Sequence, residues 1–349
     1  MTAARIARLR ESLDEPLLVT GAKNVAYLTG FESSNAAVLV EPERVRLFAD
    51  ARYSEAGRGV DGVEFVETGR ILLADLATRL EGAIAFEEEH ISHAGYRTLA
   101  AGRLELVPRR GTVEALRALK DEVELARIAA ASAIADAALS ALLEESWIGR
   151  TERELAARLQ VLLLDGGGDG AAFDVIVGSG PNAAKPHARP GDRIVSSGEL
   201  VIVDFGCLLD GYRSDCARTV AVGEPTGELA AIFEVCLEAH EAAVAGVRPG
   251  MSGVEADRIA RDVIAQAGYG DRFGHGLGHG IGLDVHEAPF LSPAFDGTME
   301  AGQVVTIEPG IYVPDVGGVR IEDLCVVRAE GLESVTRLPK RIVLDASVR

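Results

Sequence analysis

Residues 200–215, Leu200-Val201-Ile202-Val203-Asp204-Phe205-Gly206-Cys207-Leu208-Leu209-Asp210-Gly211-Tyr212-Arg213-Ser214-Asp215, read as two strands folded about a turn. Asp204 ends the apolar run Val201-Ile202-Val203, and Thr219-Val220-Ala221-Val222 continues the second strand beyond Asp215. Asp-Gly is a strong signal for a tight hairpin. The midpoint of the two aspartates falls within Leu209-Asp210-Gly211. The spacing therefore predicts a hairpin that sets Asp204 and Asp215 opposite each other on neighbouring strands. Strands this apolar belong in a buried sheet, not in a solvated hairpin.

The pattern occurs again near the C-terminus. Glu308 follows Val304-Val305-Thr306-Ile307, and Glu322 follows Val319-Arg320-Ile321. Their midpoint lies in Pro314-Asp315-Val316-Gly317-Gly318, a turn-rich stretch. Each hairpin thus presents a pair of carboxylates. Like charges facing each other in a partly buried sheet repel, and a cation between them removes the repulsion.

A third segment, Phe273-Gly274-His275-Gly276-Leu277-Gly278-His279-Gly280-Ile281-Gly282-Leu283-Asp284-Val285-His286-Glu287, holds three of the chain's seven histidines. Its glycines permit close backbone approach. Four paired acids and an imidazole form a hard, oxygen-rich donor set without thiolates. Such a set suits Mn²⁺ or similar ions better than structural zinc.

Residues 201–206, 212–215, 275–287, 306–312 and 319–323 together resemble the metal motifs of the pita-bread metallopeptidases, and among these the Xaa-Pro peptidase branch of prolidase and aminopeptidase P. The resemblance extends over nearly the whole chain. It implies an α+β architecture with a pita-bread catalytic domain over residues 119–349. A smaller α/β creatinase-like domain over residues 1–118 precedes it. It also implies a ligand set: Asp204 on one ion, His279 and Glu308 on the other, Asp215 and Glu322 bridging both. Mn²⁺ is the expected ion, with Co²⁺, Zn²⁺ or Fe²⁺ as alternatives.

By the same resemblance Glu308 shuttles a proton from the attacking water to the leaving prolyl nitrogen, and His286 hydrogen-bonds the carbonyl oxygen. His275 is a second catalytic histidine lining the pocket, and His187 contacts the proline. Short proline-containing peptides are the implied substrates, and a homodimer the implied assembly. Arg320 lies two residues before Glu322, hence on the same sheet face. It either orients an acid or binds substrate. A dipeptidase needs a cation for the substrate carboxylate. Arg320 and Arg46, the latter held between Val45 and Leu47 on a strand, are the two candidates. An aminopeptidase P leaves that end of the pocket open. A creatinase-like hydrolase or a binding protein of the same fold is the remote alternative, set against the presence of all five ligands.

Length and composition agree with this. A chain of 349 residues suits two domains. Its net charge of −19, from 54 acidic and 35 basic residues, disfavours nucleic acid and anionic membranes as partners. Cys207, Cys216, Cys236 and Cys325 have neither disulfide nor zinc spacing and are expected as reduced packing residues. No signal-like N-terminus and no apolar run of spanning length are read, so a cytoplasmic location is expected. Residues 17–20, 36–40, 44–49 and 83–86 are strand-like. Helices are expected at 5–13, 71–80, 94–102, 122–145, 151–164, 228–246 and 252–267. The order of helix pair, hairpin, helix pair, hairpin in the second domain hints at internal pseudo-symmetry, although no sequence repeat is visible.

Overall fold

Asp121 accepts hydrogen bonds from the backbone N–H groups of Val123 and Glu124, and the Glu124 side chain accepts one from the Asp121 N–H. This capping box starts the helix Glu122–Leu143. Thr151 with Glu154 and Ser252 with Glu255 do the same for Glu152–Asp165 and Gly253–Gln266. The fourth long helix, Gly227–Gly246, follows Thr226 without a side-chain cap. These helices belong to the second of two compact units, Met1–Arg117 and Ala118–Arg349, in a computed structural model that describes residues 2–345.

Each helix pair in the second unit covers one sheet. Leu139, Leu142, Leu155 and Leu159 of the first pair pack on Val201, Val203, Phe205 and Val220 of the first hairpin. Ile232, Phe233, Ala256, Ala260 and Ile264 of the second pair pack with Val305, Ile307, Ile321 and Cys325 of the second. A fully buried Leu, Ile or Phe contributes about 1.5–3 kcal/mol, so these two faces dominate the stability of the unit. All four cysteines are buried and unpaired. The helix Glu122–Leu143 is long and apolar enough by composition to cross a membrane, contrary to the sequence expectation. Its residues Ala131, Ala135, Ala138, Leu139 and Leu142 are part of the first core.

The first hairpin forms, but its pairing is two residues out of the expected register. The strands Leu200–Phe205 and Cys216–Val222 pair antiparallel with Asp204 facing Ala217 and Phe205 facing Cys216. Asp204 and Asp215 are therefore diagonal neighbours on one face, not directly opposed. The turn centres on Asp210 and Gly211, with Asp210 at φ 48 and Gly211 at φ 80. The second hairpin keeps its predicted register. Ile307 faces Asp323 in one ladder and Gly310 faces Arg320 in the next. Both ladders share one register, which sets Glu308 against Glu322 in the gap between them.

The hairpins are tied to each other. The Glu322 N–H donates to Ala217 O at 3.0 Å. Thr219 Oγ1 donates to Arg320 O and accepts from Arg320 N, both at 2.9 Å. These bonds bring the Asp215 end of one hairpin beside the Glu322 end of the other.

The first unit holds a six-stranded mixed sheet in the order Glu64–Thr68, Val45–Asp50, Ala36–Val40, Leu17–Val19, Glu81–Glu87, Arg103–Arg109. Helices Thr2–Glu11, Ala22–Thr29, Leu72–Arg79 and His93–Ala100 alternate with these strands. Within this unit Arg46 donates to both oxygens of Glu41, at 2.8 and 3.0 Å. Glu87, His90 and Glu114 also converge there. The Asn24 Nδ2 amide lies 2.6 Å from an oxygen of each acid, so hydrogen bonds already satisfy that cluster.

Candidate metal centre

A cavity of about 500 Å³ opens where the two hairpins and the glycine-rich segment meet. Asp204, Asp215, His279, Glu308 and Glu322 all line it, as do His187, His275, His286 and Arg320. The sheet ends place the acids. Asp204 is near the end of one strand, Asp215 and Glu322 immediately precede the next ones, and Glu308 follows Ile307. His279 is central in the short strand Gly278–Gly280. Gly278 and Gly280 flank it because an added Cβ at either would fall 2.0–2.3 Å from a carbonyl oxygen of a neighbouring strand. Only glycine allows the imidazole to sit this deep in the sheet.

Ligand atoms of Asp215, His279 and Glu322 lie within 4.8 Å of one another. His279 Nδ1 donates to Gly280 O at 3.1 Å. That bond fixes the tautomer and leaves Nε2 facing the carboxylates, 3.8 Å from Asp215 and 3.3 Å from Glu308. This donor set fits a hard or borderline divalent cation.

The electrostatics ask for positive charge. Asp215 and Glu322 are almost completely buried, at 4% and 2% exposure. Burial, then repulsion from the neighbouring acids, raises both carboxyls well above the ordinary range. Burial raises Asp204 as well, against the opposing charge of Arg320. Burial also acts to raise Glu308, but the hydrogen bond and charge of His279 outweigh it and bring Glu308 to about 2. Burial in turn works against a charged His279, yet Glu308 and Asp215 raise it to about 9. The protein alone supplies two cations, Arg320 and a protonated His279, for four acids. Divalent ions would restore the balance.

Arg320 orients Asp204. Its Nη1 donates to Asp204, its Nε to Tyr312 Oη at 2.8 Å and its Nη2 to Pro186 O at 3.0 Å. With each nitrogen donating to the protein and 3% exposure, it is held as a support for Asp204, the first of the two roles expected of it. Arg46, the other candidate, is held by Glu41 in the first unit. His275 is likewise bonded within the protein. It lines the cavity, but Nδ1 donates to Gly276 O at 2.8 Å and Nε2 accepts from Tyr312 Oη at 2.9 Å. Both nitrogens are used, so it supports Tyr312 and is no free acid or base. His286 is exposed at the cavity, its ring 4.2 Å from that of His279. His187 is exposed and also lines the cavity, in the loop that follows the strand Ile176–Ser179.

Sequence reasoning gave no role to Tyr312, Thr306 or the apolar wall. Tyr312 and Arg320 are diagonal across a ladder whose partners are Gly318 and Gly310, and that alternation was the available signal. Thr306 Oγ1 accepts from His279 N at 3.0 Å and donates to Glu308 at 3.3 Å, holding two site residues together. Ile176 faces Asp204 and Phe290 faces His279 in their ladders. With Phe173 and Val285 they form apolar walls on both sides of the polar floor.

Residues 126–329 match the metallopeptidase family M24, and residues 5–119 match the creatinase/prolidase N-terminal domain. The chain is 39% identical to the uncharacterized peptidase YqhT of Bacillus subtilis, over 94% of this chain and 95% of that one. It is 42% identical to the Xaa-Pro dipeptidase of Pyrococcus furiosus over 66% of each. Among solved structures, an Xaa-Pro dipeptidase from Bacillus anthracis superposes with a TM-score of 0.95 at 36% identity, covering 99% of this chain and all of that one. An X-Pro aminopeptidase from Thermotoga maritima gives 0.89 at 32% identity, covering 96% and 99%.

Proposed function

We infer the reaction for a chain that belongs to metallopeptidase family M24 and carries the creatinase/prolidase N-terminal domain ahead of its catalytic one. It is an Xaa-Pro dipeptidase, hydrolysing the bond between an N-terminal residue and proline. The observation that carries this is the convergence of Asp215, His279 and Glu322 in a cavity shared with Glu308 and Asp204. Relatives named for this activity are about two-fifths identical in sequence.

Asp204, Asp215, His279, Glu308 and Glu322 would hold the divalent ions. Such ions acidify water near neutral pH and polarise the scissile carbonyl. Glu308 takes the proton of the attacking water and delivers it to the prolyl nitrogen, which has no N–H of its own and leaves only when protonated. His286 donates a hydrogen bond to the carbonyl oxygen as its charge develops. His187 meets the proline ring. Arg320 holds Asp204 in place. The oxygen-rich donors favour Mn²⁺, and four reduced, buried thiols suit the cytoplasm. A homodimer follows from family resemblance alone.

One observation favours a second reading, that of an aminopeptidase P acting on longer peptides. Arg320 is the one Arg or Lys among the described residues lining the cavity, and each of its nitrogens already donates to the protein. The deciding assay compares kcat/KM for an Xaa-Pro dipeptide and for the same peptide extended by one residue, with Mn²⁺ present. Cleavage of the dipeptide alone establishes the dipeptidase. Preference for the tripeptide replaces it with the aminopeptidase. Cleavage of neither by metal-loaded protein refutes both.

A further inference from the structure

Glu152 is fully buried, and Arg193, the cation whose charge reaches it, is itself bonded to Ser179 and Glu199. Its carboxylate is satisfied by a single loop. Oε1 accepts from Ser179 N at 2.8 Å, from Ser179 Oγ at 2.8 Å and from Asn182 Nδ2 at 3.0 Å. Oε2 accepts from Gly191 N at 3.1 Å and from Asn182 Nδ2 at 3.2 Å. Lys185 Nζ donates to Asn182 Oδ1 at 2.8 Å and so turns that amide's nitrogen toward the acid. Arg193 donates to Ser179 Oγ at 2.7 Å, which commits the hydroxyl's own proton to Glu152. Every partner is a donor, so the carboxylate serves as acceptor throughout.

The contacts fall at the beginning, early turn and end of residues 179–191. One side chain thus fastens both ends of the loop that carries His187 into the cavity. The loop also reaches the rest of the site. Pro186 O accepts from Arg320, and Ala183 packs with Tyr312 and Ile202. Glu152 opens the helix Glu152–Asp165, whose N-terminal dipole favours an acid at this position.

We propose that Glu152 is a positioning residue for substrate binding, clamping loop 179–191 so that His187 is held against the proline of the substrate. This rests on the proposed role of His187. Glu152→Gln is a selective test. The amide oxygen can keep the Ser179 end, but its NH₂ then opposes Gly191 N and releases the far end. The expected result is a KM for the Xaa-Pro dipeptide raised about tenfold, the equivalent of one or two hydrogen bonds, with kcat and bound metal little changed. His187→Ala raises KM by a similar factor. The double variant is no worse than either single one, because both act through one contact. Faster hydrogen exchange of amides 180–191 in Glu152→Gln reads the clamp without reference to activity.

A folded Glu152→Gln protein with unchanged KM overturns the proposal, as does an additive double variant. If Glu152→Gln does not fold, Asn182→Ala takes its place. It removes bonds to both oxygens from a partly exposed position, and a KM within twofold of the wild type overturns the proposal equally. Wild-type protein that fails to cleave Xaa-Pro while loop exchange still accelerates in the variant refutes the assigned reaction and leaves the clamp intact.

Discussion

Asp215→Asn has opposite effects on the metal-free and metal-loaded protein. Burial and neighbouring acids raise the Asp215 and Glu322 carboxyls in the fold. An acid whose folded pKa exceeds its unfolded one stabilises fully below the unfolded value, near 4, and loses that contribution as pH rises through the folded value. Each unit of difference amounts to about 1.4 kcal/mol. Chelated wild-type protein should therefore be more stable at pH 5 than at pH 8. Asn at 215 removes one buried like charge and should raise the chelated Tm at pH 8, by roughly 2–4 °C per kcal/mol for a domain of this size. Ions that bind only the folded state add RT ln(1 + [L]/Kd), about 4 kcal/mol at a thousandfold excess over Kd, or roughly 8–16 °C. The ligands must be deprotonated to bind, so this gain grows from pH 5 to pH 8. Asp215→Asn removes a carboxylate ligand from the centre of the proposed site and should retain less than half of that gain. Thermal unfolding of both proteins, with chelator and with saturating Mn²⁺, at the two pH values gives every term. A chelated wild type whose Tm is higher at pH 8 than at pH 5, or a full Mn²⁺ response in Asp215→Asn, would refute the reasoning.

Three other substitutions separate roles within the site. His286→Ala should lower kcat by about 10²–10³ with KM and Tm nearly unchanged, because an exposed ring that donates to a developing oxyanion acts in the transition state; steady-state kinetics with thermal melts checks this. Glu308→Gln should lower kcat by about 10²–10⁴ through loss of the proton shuttle. It should also bring the His279 pKa down from about 9, since Glu308 is the main partner that raises it, a change followed by NMR titration of the metal-free protein. Arg320→Lys cannot reproduce the three bonds to Tyr312, Asp204 and Pro186. Metal affinity should fall about 10–100-fold, measured by competition with a chromogenic chelator. KM for a dipeptide and for its C-terminal amide should move together, because the guanidinium does not meet the carboxylate.

The strong local signals of the catalytic unit were legible. Capping boxes at Thr151 and Ser252 and the two turn-centred carboxylate pairs located two of the long helices and the strands that carry the four acids without any tertiary information. Register was harder. The Asp-Gly turn fixed a hairpin, but whether positive φ falls at 209–210 or 210–211 is decided by pairing beyond the turn, and the structure chose the latter. In the first unit, strands Glu64–Thr68 and Arg103–Arg109 were missed because both lie at the sheet's edges, where alternating charged residues face water. Arg320 shows the limit for a site. Spacing put it on the face of Glu322, but its occupation depends on Tyr312, Asp204 and Pro186, which are brought to it from other strands and loops. Glu152 offered no more than a helix-start signal, since its partners lie from Ser179 to Gly191.

The most direct test of the account is a titration of chelator-stripped protein with Mn²⁺, following hydrolysis of an Xaa-Pro dipeptide. Five candidate ligands around one cavity predict negligible turnover in the stripped protein and activity that reaches its plateau at two ions per chain. Full activity in the stripped protein, or two bound ions without cleavage, would contradict it.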